Sequence, residues 1–334
     1  MKILVTGVAG FIGYHLTRRL VADGHEVMGV DGMTPYYDPS LKETRLKNLR
    51  LSNAFGFEQM MLEDGDRFSD LAQSFNPEIV IHLAAQPGVR YSLENPASYV
   101  DSNIGGTFKV LEAVRRLEVG HLMLASTSSV YGGNQKMPFQ ENEPADHPLS
   151  LYAATKKATE AMSHSYSSLF DIPTTAFRFF TVYGPWGRPD MAPIKFANAI
   201  VNGQPIDIYN HGDMKRDFTY IDDLVEGIVR LMPCVPVRNT PVSPLDSLSP
   251  VAPWRVVNIG GGRPTDLMTF IRSMENALGR RAEYNFLPLQ PGDPQVTYAS
   301  ADLLEALCGY RPETDIDAGL KAFCDWYLAA YAPR

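Results

Sequence analysis

Cysteine is scarce: Cys234, Cys308 and Cys324 stand without a C-x-x-C pair or any metal-type spacing. A set so sparse and odd argues against a disulfide framework or a bound metal, and reads as reduced thiols in a reducing compartment. Basic tracts are missing too. The 30 Lys and Arg are outnumbered by 38 Asp and Glu, for a net charge of −8. That balance lacks the cationic surface on which nucleic-acid binding runs, although local arginines can still hold an anionic small ligand. There is no long apolar run, positively charged leader or cleavage site. Nothing therefore marks the chain for secretion or for spanning a membrane, and the expected location is the cytoplasm. No internal repeat occurs, and the proline-dense stretch 233–253 reads as an irregular exposed loop.

What is there is a globular composition, 45% hydrophobic and 20% charged, over 334 residues. Short apolar runs at 3–6, 26–30, 79–83, 122–125 and 174–179 read as strands, and amphipathic stretches at 12–23, 103–117 and 152–170 as helices. This alternation predicts an α/β fold, a Rossmann-type doubly wound parallel sheet with helices on both faces. After about residue 180 the rhythm breaks. A strand–helix unit near 218–231 is expected to return to the first domain, and the shorter elements from 255 onward imply a second, smaller domain of mixed α/β structure. The expected division is 1–180 with 217–260 for a dinucleotide domain, and 181–216 with 261–334 for a substrate domain.

The first strand runs into GVAGFIG, which places Gly7, Gly10 and Gly13 in a turn that leads directly into a helix. Glycine is needed where such a turn is tight and where backbone must approach a pyrophosphate, held by the helix N–H groups and dipole. Asp31 ends the second strand, 18 residues after Gly13. A carboxylate there accepts bonds from ribose hydroxyls and repels a 2′-phosphate, so NAD is expected rather than NADP. Tyr152 and Lys156 lie four apart in a predicted helix and so share a face. A phenol with a pKa of about 10 becomes a usable base only beside a positive charge, which the lysine provides.

The G-x-x-G-x-x-G spacing, the STSSVYG run at 126–132 and Tyr152-x-x-x-Lys156 together resemble the extended short-chain dehydrogenase/reductase superfamily. The resemblance implies a catalytic triad of Thr127, Tyr152 and Lys156. It also implies cofactor contacts from Phe11 and Ile12 in the turn, and from Leu83, Ala84, Ala85 and Gln86 in the HLAAQ run. Asn103, Glu63, Asp64 and Phe179 complete that implied set. His82 itself reads as a packed strand residue. Gly32 and Glu63-Asp64 depart from the family pattern around adenosine, where Asn and Asp-aliphatic are usual.

The superfamily includes epimerases, dehydratases, decarboxylases and reductases. Dehydratases carry Asp-Glu after the triad threonine, and UDP-glucuronate decarboxylases carry Glu at the second of those positions; here both are serine, Ser128 and Ser129. Epimerisation needs only the triad and NAD. Thr181 stands where UDP-galactose 4-epimerases usually carry Asn, and GVRYSLENP, YGPWGRPDMA and NHGDMKRDFTYIDD closely resemble UDP-glucuronate 4-epimerases. The resemblance implies a homodimer acting on a UDP-sugar. Thr127, Ser128, Ser129 and Thr181 would hold a uronate carboxylate, Arg216 the diphosphate, Asp293 the nucleotide ribose, and Arg188 and Arg90 the substrate side. For Arg90 a surface ion pair is an equal reading. A 4-epimerase of a neutral UDP-hexose and a non-catalytic NAD-binding protein remain as alternatives.

Overall fold

The computed structural model describes residues 1–289 and 295–331. Its first half follows the apolar rhythm. β1 (Lys2–Thr6), α1 (Phe11–Ala22), β2 (Glu26–Asp31), α2 (Pro39–Leu49), β3 (Phe55–Gln59), α3 (Gly65–Phe75) and β4 (Ile79–His82) come in strict alternation. Two single-turn helices, α4 (Tyr91–Glu94) and α5 (Pro96–Tyr99), lead through a π-helical segment Val100–Gly106 into α6 (Thr107–Arg115). β5 (His121–Thr127), α7 (Leu151–Phe170) and β6 (Thr174–Phe179) follow.

The second half is mixed. It holds β7 (Thr181–Tyr183), α8 (Ala192–Asn202), β8 (Pro205–Ile208), β9 (Lys215–Tyr220), α9 (Ile221–Leu231) and β10 (Trp254–Ile259). Then come β11 (Pro264–Asp266), α10 (Leu267–Leu278), β12 (Glu283–Phe286), β13 (Val296–Thr297), α11 (Asp302–Cys308) and α12 (Ile316–Trp326).

Seven parallel strands form the main sheet in the order β10-β6-β5-β4-β1-β2-β3. Along β1 the side chains divide with the strand period. Ile3 and Val5 join a core on one face with Phe11, Leu16 and the α9 residues Leu224 and Ile228. Leu4 joins the opposite core with Phe68, Val110 and Leu122 under α3 and α6. Burial on both faces is why these strands read as continuous apolar runs. The order reverses between β1 and β4, and at such a switch point the carboxyl ends of the strands leave a crevice.

β3, α2 and α3 were not among the elements expected. α2 nevertheless begins on a recognisable signal: Pro39 opens the helix and the Asp38 carboxylate accepts from the Ser40 N–H at 2.9 Å. α3 buries Phe68, Ala72 and Phe75 on one stripe.

One expectation needs correction. The unit at 218–231 splits: β9 pairs with β11, β13 and β7 in a second sheet, while only α9 packs on the main one. The strand follows its ladder partners, so the chain crosses back at Ile221 rather than before 217. The stretch 233–253 is irregular, as expected, but it is tied inward. Arg255, nearly inaccessible, donates to the fully buried carboxylate of Asp246 at 3.0 Å and to the Cys234 carbonyl at 3.2 Å. A third core, around Phe270, Ile271, Met274, Leu320 and Phe323, belongs to the second-half elements.

Arg255→Met should leave the buried Asp246 carboxylate with only the Val242 and Leu248 N–H groups and no opposite charge, at a cost of about 3–5 kcal/mol. Urea unfolding measures this. A loss under about 1 kcal/mol would show that the loop is anchored by other contacts.

Candidate active site

The carboxyl ends of β1, β2, β4, β5 and β6 open onto a cleft of about 1450 Å³, counting the open space at its mouth. Its floor is the glycine turn. A side chain at Gly13 would begin 2.0 Å from the Gly7 carbonyl oxygen, and one at Gly7, where φ is +78°, would lie 2.8 Å from the Ala84 nitrogen. Both contacts are too short for any Cβ, so glycine is required for the helix to sit this close to the turn. Gly10 precedes α1 with no side-chain cap, and the first turn carries no acidic residue. Its N–H groups therefore face the cleft as an anion site. Phe11, Ile12 and Gly13 complete this wall.

Asp31 faces the same cleft. Its oxygens accept from the Ala9 N–H at 3.1 Å and the Met33 N–H at 2.8 Å. Lys42 on α2 stands 3.8 Å away, both side chains being nearly buried. Burial pushes the Lys42 ammonium down, against the upward pull of Asp31. These residues fit a dinucleotide: a bare helix N-terminus for the pyrophosphate and a carboxylate at the ribose position.

The adenosine side differs from expectation. Met60, Met61, Leu62 and Glu63 line it, together with Gly32, but Asp64 does not. Asp64 instead precedes α3, half exposed, with Arg67 at 3.8 Å. Glu63 accepts from the Ser102 hydroxyl at 2.9 Å. Leu83, Ala84, Ala85 and Gln86 form the opposite wall. Asn103 lies behind that wall, fully buried. Its amide accepts from the Gln86 N–H at 2.7 Å and donates to the Gln86 carbonyl and the Thr155 hydroxyl. It clamps the strand end and is not part of the cleft lining. His82 is bonded between Thr6 and Thr107, and burial lowers its pKa to about 3.

Thr127, Tyr152, Lys156 and Phe179 meet at the inner end of the cleft. Ser150 caps α7 through the Ala153 N–H, which presents Tyr152 in the first turn and Lys156 one turn on. Burial pushes the Tyr152 phenol up; a hydrogen-bonding contact with the Thr127 hydroxyl and the Arg188 charge pull it down. Burial lowers the Lys156 ammonium to about 8, opposed by Glu160. The Arg188 charge thus acts on the phenol in addition to what the four-residue spacing to Lys156 suggested.

Arg188 reaches the cleft from the turn after β7 and binds the Asp190 carboxylate through Nε at 3.0 Å and Nη2 at 2.5 Å. Tyr36 donates to the same carboxylate at 3.0 Å. Beside it, the buried Arg45 donates to the Ala9 carbonyl at 2.8 Å and to the Trp186 and Gly187 carbonyls, joining the glycine turn to the Arg188 turn. Tyr36, Lys42, Arg45, Met61 and Ser126 escaped sequence reasoning. The helix-start signal at Asp38 could have located α2, but not what its side chains touch.

Other candidates lie outside the cleft wall. Ser128 and Ser129 occupy the turn after Thr127, where the Ser129 N–H donates to the Thr127 Oγ1 at 3.2 Å. Thr181 opens β7, partly exposed, opposite Phe218. Arg90 is exposed, 5.3 Å from the centre of the Tyr209 ring. Arg216 lies on β9 and donates to the Lys215 and Gln295 carbonyls. Asp293 lies outside the described residues. Among the described residues no group of three or more His, Cys, Asp or Glu could hold a metal.

Comparison with known proteins agrees with this fold. A probable UDP-glucuronate 4-epimerase of Rhizobium meliloti (strain 1021) is 56% identical over 334 residues, spanning 99% of this chain and 98% of its own. Protein CapI of Staphylococcus aureus is 52% identical, spanning 99% of each chain. The crystal structure of a UDP-glucuronic acid 4-epimerase from Bacillus cereus, in complex with UDP-glucuronic acid and NAD, superposes with a TM-score of 0.88. It is 35% identical and covers 99% of this chain and 100% of that one. The model of the NAD dependent epimerase/dehydratase family matches residues 3–237, and the chain belongs to that family.

Proposed function

We propose that the chain interconverts UDP-glucuronate and UDP-galacturonate by epimerisation at C4. The carrying observation is a hydride-transfer site, Thr127 with Tyr152 and Lys156, that holds no carboxyl group at positions 128 and 129. Relatives of matched length that carry the UDP-glucuronate 4-epimerase name support the substrate. The enzyme is an NAD-dependent isomerase, and bound NAD supplies the hydride acceptor and donor.

The chain's own groups do the rest. Tyr152 takes the proton from the C4 hydroxyl and returns it after the ketone forms. Thr127 donates to that oxygen and holds it in place. The positive charges of Lys156 and Arg188 favour the phenolate in a site where little solvent screens them. Without an acid at 128 or 129, nothing is placed to expel a hydroxyl group. The 4-keto uronate is a β-keto acid, which loses CO₂ when its carboxylate is perpendicular to the ketone. Ser128, Ser129 and Thr181 are neutral donors suited to holding the carboxylate elsewhere. Arg216 is suited to the diphosphate.

Two further readings rest on the surface. Around α6 and α7 large apolar side chains are exposed: Val100, Phe108, Leu169 and Phe170. They support pairing of two copies through these helices. All three cysteines are free, which supports a reducing, cytoplasmic setting. Sedimentation of the purified chain should give twice the chain mass, and fractionation should find the protein in the cytoplasm; a monomer or a secreted protein would refute the respective reading.

Proton NMR of the purified protein with UDP-glucuronate, without added reductant, should show UDP-galacturonate rising to an equilibrium mixture. Turnover of UDP-glucose or UDP-galactose instead would move the assignment to a neutral hexose. Tyr152→Phe should lower kcat by about 100-fold or more while bound NAD is retained. Full activity in that variant would remove Tyr152 as the base.

A further inference from the structure

Glu160 follows Lys156 by one helical turn, as Lys156 follows Tyr152, so the three lie along one face of α7. Its carboxylate is almost inaccessible, yet four donors converge on it. The Ser126 hydroxyl donates to Oε1 at 2.6 Å, Arg178 donates through Nε and Nη2 at 2.9 Å each, and Lys157 lies 3.5 Å from Oε2. Arg178 is in turn held over the Tyr131 ring, 4.6 Å from its centre.

These bonds join the three elements that build the reactive end. Ser126 precedes Thr127 on β5, and Arg178 precedes Phe179 on β6. Both neighbours line the cleft. One carboxylate therefore sets α7 against the ends of both strands.

We infer that Glu160 is a positioning residue for the epimerisation, setting the distance of the Tyr152–Lys156 face from Thr127. It touches neither substrate nor cofactor and acts through Ser126, Arg178 and Lys156. The inference rests on the proposed roles of Tyr152 and Lys156.

Tyr152 and Glu160 flank Lys156 on its own helix, with His82 nearby on β4, and the Glu160 carboxylate is itself shared with the cations Arg178 on β6 and Lys157. Burial holds His82 neutral, and Glu160 supplies the upward pull on the lysine. With that pull gone, Lys156 loses its proton at lower pH. Its support for the phenolate is then lost at lower pH too, and the alkaline limb of the rate profile moves toward acid.

Three variants of the NAD-loaded protein separate reach from charge. Glu160→Gln keeps the size and loses the charge, so kcat should fall about 100-fold and the alkaline limb should move to lower pH. Glu160→Asp keeps the charge and loses the reach; kcat should fall about as far with the limb in place. Ser126→Ala cuts the tie to β5 alone and should lower kcat about tenfold with the limb unmoved. In all three, bound NAD per chain and KM should match the parent. Folding is checked by thermal melting, and rates are taken per folded chain. Wild-type kcat and pH profile in Glu160→Gln, or an effect confined to melting temperature, would overturn the inference. Inactivity of the parent chain on UDP-glucuronate would instead overturn the proposed function, and that control is run first.

Discussion

The arrangement of the cleft depends on how closely α1 approaches the turn in front of it. At Gly13 the helix backbone lies where a side chain would meet the Gly7 carbonyl at 2.0 Å, so the two segments touch with nothing between them. That contact brings the uncapped N-terminus of α1 up to the ends of the strands. It also leaves the Ala9 N–H and carbonyl exposed to partners. The N–H goes to Asp31, and the carbonyl goes to Arg45. With any larger residue the helix would retreat, and both connections would lengthen. The glycine turn thus sets the phosphate site, the ribose carboxylate and the link to the substrate side together.

Charge is handled differently at the two ends of the cleft. At the outer end Asp31 and Lys42 face each other at the limit of an ion pair, with backbone N–H groups filling the carboxylate's other positions. At the inner end the charges are more fully matched. Glu160 is met by Arg178 and Ser126, and Arg188 by Asp190. His82, which sits near Lys156, avoids adding a cation by staying neutral between two threonines. Pairing offsets the desolvation of these groups, and the low dielectric that makes burial costly also strengthens the field on Tyr152.

The strand ends were legible because they carry small or acidic residues after apolar runs, a local pattern that the parallel sheet forces. Asp31, Ala84 and Thr127 are all of this kind. For Asn103 the sequence does not tell a ligand contact from a clamp on the neighbouring strand end, because one amide can serve either; its bonds to Gln86 and Thr155 are tertiary contacts. Glu63 and Asp64 part because a step of one residue decides whether a side chain lines the adenosine wall or opens α3. The strand–helix unit at 218–231 was misassigned because an apolar strand does not reveal which sheet will accept its edge.

By itself the sequence determined the local features: the alternation that makes a covered parallel sheet, the glycines without which the turn cannot close, and the four-residue step that sets Tyr152 and Lys156 on one helix face. Each follows from backbone sterics or from a fixed structural period, and so needs no knowledge of distant residues. Tertiary structure alone decided the rest. It brought Arg188 to a phenol 36 residues away in the chain, Tyr36 to Asp190, and Arg45 to the carbonyls of Trp186 and Gly187. Those meetings depend on strand order and on the crossing of the chain between two sheets, where the free energy comes from burying faces against one another, and no local pattern records which faces meet.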